Sequence, residues 1–332
     1  MMANLETQYM GLKLKNPIVV SSSGLTNSVE DIKEFEESGA GAVVLKSIFE
    51  EEIRIQMEKD QDQMNRGSFL YPETMDFYDN YAQDDALTKH LQLIREAKKS
   101  VSIPIIASVN CVTAEKWPYY AQSLQDAGAD ALELNVFVLP SDFNKTCDEN
   151  EKLYFKIIDE VKKYTKIPLS LKISYYSSNL GPFIQQLSHS GVEGVVLFNR
   201  FYSPDIDINN MRLLSSHVLS HPSEISMPLR WIGIMSDRSA CDLAASTGIN
   251  DGEDVIKLIL AGAKVTQLAT AIYKNGKDHI KVILEELESW MNQKGYKSLD
   301  AFRGLMSQEK TENPAAYYRM QFMKYFAGKN YK

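Results

Sequence analysis

Polar side chains recur where short apolar runs end. In chain order they are Ser22 and Ser23, Lys46 and Ser47, Asn110, Asn135, Lys172 and Ser174, Asn199, Thr247 and Thr270. Each follows a stretch rich in Val, Ile, Leu and Ala, where an amide or ammonium group is costly without a partner. One such lysine, taken alone, is equally well read as a salt bridge to a neighbouring layer. Two lysines and three asparagines at equivalent positions describe a shared polar mouth, suited to a flat, often anionic ligand with several acceptors. The tetrapeptides "STGI" (246–249) and "ATAI" (269–272) add small residues whose backbone N–H groups suit a phosphate, although tight turns explain the same residues.

The elements that must position these groups alternate. β-branched runs at 17–24, 41–47, 103–110, 131–137, 167–174, 194–200, 242–249 and 263–272 are nearly all separated by amphipathic stretches. "SVEDIKEFEESGA" has the form of a helix capped by Ser28 and stopped by Gly39. Strand–helix alternation implies a parallel sheet with helical crossovers, and eight units predict an α/β fold of the (β/α)8 TIM-barrel type. A doubly wound sheet predicts a Gly-x-Gly-x-x-Gly turn after the first strand, and "SSSGLTNS" does not supply one. Residues 50–84 and 201–229 break the repeat as insertions after strands two and six, on the carboxyl-end face where barrel sites are built. Long ordered loops there are more often lids or binding loops than filler. Residues 1–332 are expected to form one domain.

Composition narrows the class. The chain has 332 residues and a net charge of -8, with 44 acidic against 36 basic residues, which disfavours nucleic-acid binding. Cys111, Cys147 and Cys241 are scattered without metal-ligand spacing, so the expectation is a reducing, cytoplasmic setting and no iron–sulfur cluster. The start lacks the pattern of a signal peptide, and no apolar run is long enough to span a bilayer.

Several stretches together resemble the dihydroorotate dehydrogenases, FMN-dependent barrel enzymes of pyrimidine synthesis, and specifically their soluble class 1 branch. They are "NPIVVSSSGLTNSVEDIKEFEESGAGAVVLKS", "LELN", "LKI", "AGAKVTQLATAIYKNG" and "LEELESWMNQKGYKSLDAFRG". The resemblance implies an FMN site and a small planar or carboxylated substrate. Ser22, Ser23 and Gly24 would lie along the flavin, and Lys46 and Ser47 would contact the flavin and the substrate edge. Asn135 and Lys172 would meet the ring, with Asn199 beside them. Thr247, Gly248, Ala269 and Thr270 would hold the phosphate. A homodimer is a further implication, since that branch is often dimeric.

Two departures matter. The family's loop after strand four carries a Cys (Ser in the other class) as the base that deprotonates dihydroorotate, and that position is Val138, followed by Pro140 where the family has Asn. The family's Asn-Ser-Met-Gly-Leu-Pro-Asn loop is replaced by "RGSFLYPETMDF". Valine accepts no proton. Ser141, Ser174, Tyr175 and Cys147 are the substitutes near that loop. Two readings follow: an FMN oxidoreductase, with dihydroorotate the foremost named substrate, or a non-catalytic flavin- or partner-binding protein on the same scaffold. A sugar-phosphate barrel enzyme without flavin would require the terminal resemblance to be accidental.

Overall fold

The computed structural model describes residues 3–50, 87–111, 116–200, 203–216 and 218–318. Eight parallel strands form its centre: β1 (Ile18–Val20), β2 (Ala42–Val44), β3 (Ile105–Asn110), β4 (Ala131–Asn135), β5 (Leu169–Ile173), β6 (Gly194–Leu197), β7 (Asp242–Ser246) and β8 (Val265–Leu268). Each pairs with its successor, and β8 pairs with β1, so the sheet closes into a barrel without a free edge. Helices cover it. The first, Val29–Glu37, starts where Ser28 Oγ accepts from Asp31 N–H, and Gly39 follows it at φ 98°. The longest, Cys147–Tyr164, begins with a reciprocal cap between Thr146 and Glu149.

The strands are shorter than the apolar runs that foretold them. β2 stops at Val44, and after three residues the chain rejoins the sheet as Ile48–Phe49, paired with the end of β3. The run expected as strand to residue 272 ends at Leu268, and Thr270–Asn275 is helical. Residues 226–229, expected within the second insertion, already belong to the helix Ser226–Met235. The insertion's first part is an antiparallel hairpin, Ser203–Asp207 with Arg212–Ser216. The first insertion lies outside the described residues apart from Glu50.

Inside the barrel the side chains change character along the axis. At the amino end, Val19, Ala42, Val44, Ile106, Ala131, Val196, Ala244 and Val265 form one apolar cluster with Tyr9, Met10 and Leu14. The last three come from an N-terminal hairpin, Thr7–Tyr9 with Leu12–Leu14, which plugs that end. Its two-residue turn needs positive φ at Met10 (51°) and Gly11 (76°). Tyr9 is fully buried, and a Cβ at Gly194 would stand 3.0 Å from its hydroxyl, so β6 begins with the smallest residue. Toward the carboxyl end the same inward columns turn polar: Ser21, Ser108, Asn110, Glu133, Asn135, Ser170, Lys172, Ser246 and Gln267 are all buried. The outward columns, among them Val20, Val43, Leu132, Leu134, Leu171 and Val195, join the larger core beneath the helices.

Candidate active site

A cavity of about 530 Å³ opens at the carboxyl end of the barrel. Asn110, Asn135, Lys172, Asn199, Thr247, Gly248, Ala269 and Thr270 line it, together with Ser21, Phe198, Arg200, Ser246 and Gln267. Its volume is that of a small-molecule or cofactor site, roughly 300–1,000 Å³.

Lys172 is the centre of the polar floor. Its ammonium donates to Gln267 Oε1 at 3.0 Å and Ser21 Oγ at 3.1 Å. Glu133 Oε1 lies 3.6 Å away, an ion pair beyond hydrogen-bond distance, and that oxygen has no hydrogen bond of its own. The other carboxylate oxygen of Glu133 accepts from Gln267 Nε2 at 2.5 Å. Lys172 and Glu133 are both nearly inaccessible, so the ammonium is desolvated, paired and fixed in direction. Above it, Asn199 Nδ2 donates to Asn135 Oδ1, and Asn199 Oδ1 accepts from the Arg200 N–H at 3.0 Å. With its oxygen engaged, Asn135 keeps its NH₂ group as the donor for a ligand.

Opposite, the loops after β7 and β8 form an end made of small residues. Thr247 and Gly248 both have positive φ, 83° and 76°. For a β-branched threonine this is an unusual backbone state, of the kind held at binding sites. Thr247 Oγ1 donates to Phe198 O at 3.1 Å. A Cβ at Gly248 would lie 2.2 Å from Ile225 N, so glycine is required there by conformation and by close approach.

The other expected residues fall elsewhere. Ser22 and Ser47 meet each other rather than the cavity wall: their hydroxyls are 3.1 Å apart, and Ser47 Oγ continues to Ser108 Oγ at 2.7 Å. Ser23 caps the short turn Gly24–Thr26, and a Cβ at Gly24 would stand 3.0 Å from Tyr273 Oη. Lys46 is not on the described wall of the first cavity, and its charge acts on His90 of the helix 87–100. Burial first, and then that cation, push His90 down to about 4.

Val138 faces a second cavity of about 550 Å³, bounded by the loops after β4 and β5 and the helix Cys147–Tyr164. Cys147, Ser174 and Tyr175 line that second cavity too, while Ser141 lines neither. Cys147 Sγ is 3.5 Å from Glu151 Oε1 and from Ser178 Oγ. Tyr154, in the same wall, is pushed up to about 12, mainly by burial. Among the described residues, the wall of the first cavity holds no carboxylate, histidine, cysteine or tyrosine; its ionisable side chains are Lys172 and Arg200.

Glu133, Gln267, Ser21 and Arg200 were missed by the sequence reading. The first two are two residues before Asn135 and Ala269, the spacing that keeps a strand residue on the same face. That alternation was the available signal. Arg200 directly follows Asn199.

A closed barrel with this polar mouth at its carboxyl end is the architecture of a TIM-barrel enzyme site. The dihydroorotate dehydrogenase family model matches residues 4–291, and the chain belongs to that family. Its relatives include proteins named dihydroorotate dehydrogenase B (NAD(+)), catalytic subunit. That of Thermoplasma volcanium is 26% identical over 316 residues, covering 92% of this chain and 99% of the relative. Those of Alkaliphilus metalliredigens and Methanocaldococcus jannaschii are 26% and 23% identical, covering 91% and 87% of this chain and 98% and 94% of their own.

Proposed function

We propose that the chain binds FMN in the first cavity and acts as an FMN-dependent oxidoreductase on a small planar or carboxylated molecule. The observation that carries this reading is the pairing, across one cavity, of a buried lysine locked by Glu133 and Gln267 with a small-residue end at Thr247–Gly248 and Ala269–Thr270. These residues fit the group. Bound FMN would supply hydride and electron transfer. Lys172 would hold a positive charge against the ring edge where negative charge develops, and its fixed direction avoids reorganisation during the reaction. Asn135 and Asn199, tied to each other, would orient the substrate's polar edge through the amide hydrogens they retain. Thr247, Gly248, Ala269 and Thr270 would take the phosphate through backbone donors and the Thr270 hydroxyl. Ser22, Ser23, Gly24, Lys46 and Ser47 would shape the cavity from behind its wall.

Dihydroorotate is the foremost named substrate because of the family, and proton removal is where this chain departs. With Val138 in the second cavity and no acceptor group on the described wall of the first, we expect slow oxidation of dihydroorotate or none. The same observation favours the second reading, a flavin-binding protein without the family reaction. Anaerobic mixing with dihydroorotate and other carboxylated donors separates the two. Bleaching of the flavin by any of them, at a rate that supports turnover, establishes the oxidoreductase. Bleaching by dithionite alone establishes the non-catalytic binder.

The relatives are named as catalytic subunits, so a partner subunit belongs to this proposal, as does a homodimer. A cytoplasmic setting is supported by three free cysteines. Among the described residues no helix is long and apolar enough to cross a membrane.

A further inference from the structure

We propose that Arg200 binds the phosphate of the flavin, an assignment that rests on the FMN reading above. Arg200 stands one residue beyond Asn199 and lines the first cavity. Its Nε donates to Glu224 Oε2 at 2.8 Å and its Nη1 to Val218 O at 3.0 Å. Both acceptors belong to the segment 218–225, which lies against the small-residue end. Ser220 N–H donates to Thr270 Oγ1 at 3.1 Å, Lys274 Nζ donates to Ser220 O at 3.2 Å, and Ile225 N closes on Gly248. The side chain is therefore held against the segment that borders the loops after β7 and β8.

Charge makes the assignment specific. A guanidinium has five N–H donors, and the two hydrogen bonds above leave three without an acceptor among the described residues. Lys172 cannot serve the same end, because its ammonium is held by Glu133, Gln267 and Ser21 at the floor. The loops after β7 and β8 line the cavity with Ser246, Thr247, Gly248, Ala269 and Thr270, donors without a charge. A phosphate monoester carries about −1.5 to −2 charges near neutrality and pairs best with a planar, bidentate donor. Glu224 fixes that donor. It is itself held by the His221 N–H at 2.6 Å, and although burial opposes its charge, Arg200 and that N–H keep its carboxyl below the usual range.

The test is titration of the deflavinated full-length protein with FMN and, separately, with riboflavin, which lacks the phosphate. Arg200→Ala should weaken FMN binding by about 10- to 100-fold, as expected for a charge-assisted hydrogen bond, and leave riboflavin binding unchanged. Glu224→Gln, which keeps the guanidinium but loosens its anchor, should give a smaller loss, again confined to FMN. Arg212→Ala, on the exposed hairpin, should change neither. Equal weakening of FMN and riboflavin in both site variants would reduce Arg200 to a structural role and overturn the proposal. So would unchanged FMN affinity in Arg200→Ala, because the guanidinium would then serve something other than the phosphate. A wild-type protein that binds neither flavin fails at the earlier step and overturns the FMN reading as well.

Discussion

At Lys172 three partners converge on one ammonium group, and each comes from a different strand: Ser21 beyond β1, Glu133 on β4 and Gln267 on β8. Lys172→Ala would leave Glu133 buried without its cation, a change that costs about 3–5 kcal/mol. That variant should lose both flavin and thermal stability. Adding Glu133→Gln should return most of the Tm without returning the flavin, separating the ligand's need for the charge from the fold's. Lys162→Ala, on the outer helix where Nζ donates to Gly191 O, should keep full flavin occupancy. Equal flavin loss in the Lys162 and Lys172 variants would contradict the placement of β5. For Val138, sequence comparison alone says that cysteine restores a base. The structure turns residue 138 into the second cavity, so Val138→Cys should change the rate of flavin reduction by dihydroorotate less than about threefold, far from the 10²–10⁴ typical of a positioned base. Stopped-flow reduction reads this directly, and a gain of that larger size would mean that residue 138 faces the flavin.

The loop after β7 shows what an element adds to its residues. Thr247 and Gly248 take successive positive φ values, and the 3-10 turn Pro222–Ile225 packs directly onto the glycine. Gly248→Ala meets both a conformational penalty and a backbone clash, so it should destabilise by more than about 1 kcal/mol and weaken flavin binding with it. Thermal denaturation with and without FMN checks this, and an alanine variant with wild-type Tm would show that the loop and the 3-10 turn are not in contact. The strand identities and their order were legible because nearly every β-branched run was followed by an amphipathic segment, some of them with recognisable ends, as at Ser28 and Gly39. Strand ends were not. In "AKVTQLATAI" the apolar pattern continues past Leu268 although the chain has already turned into a helix, because short helix and strand segments share the same hydrophobicity. Asn135, Lys172 and Asn199 could be found by residue type alone. Glu133 and Gln267 required the two-residue period, and the separation of Val138 from the first cavity depends on a loop path that local sequence does not encode.

At the scale of the whole molecule, the barrel divides its labour along its axis. The amino end is filled by the hairpin residues Tyr9, Met10 and Leu14 against small and β-branched strand residues, which gives the closed sheet a dry base. The carboxyl end exchanges that packing for a connected polar network, Ser21–Lys172–Glu133–Gln267, whose unsatisfied carboxylate oxygen marks it as built around charge rather than for packing. Family membership and the cavity meet in one claim, that this mouth holds a flavin. The measurement that tests it most directly is the absorbance spectrum of the purified full-length protein, with the released cofactor identified and counted. The expected result is a yellow protein with flavin absorption bands and FMN approaching one per chain, after reconstitution if needed. A colourless protein that takes up no added FMN would contradict it.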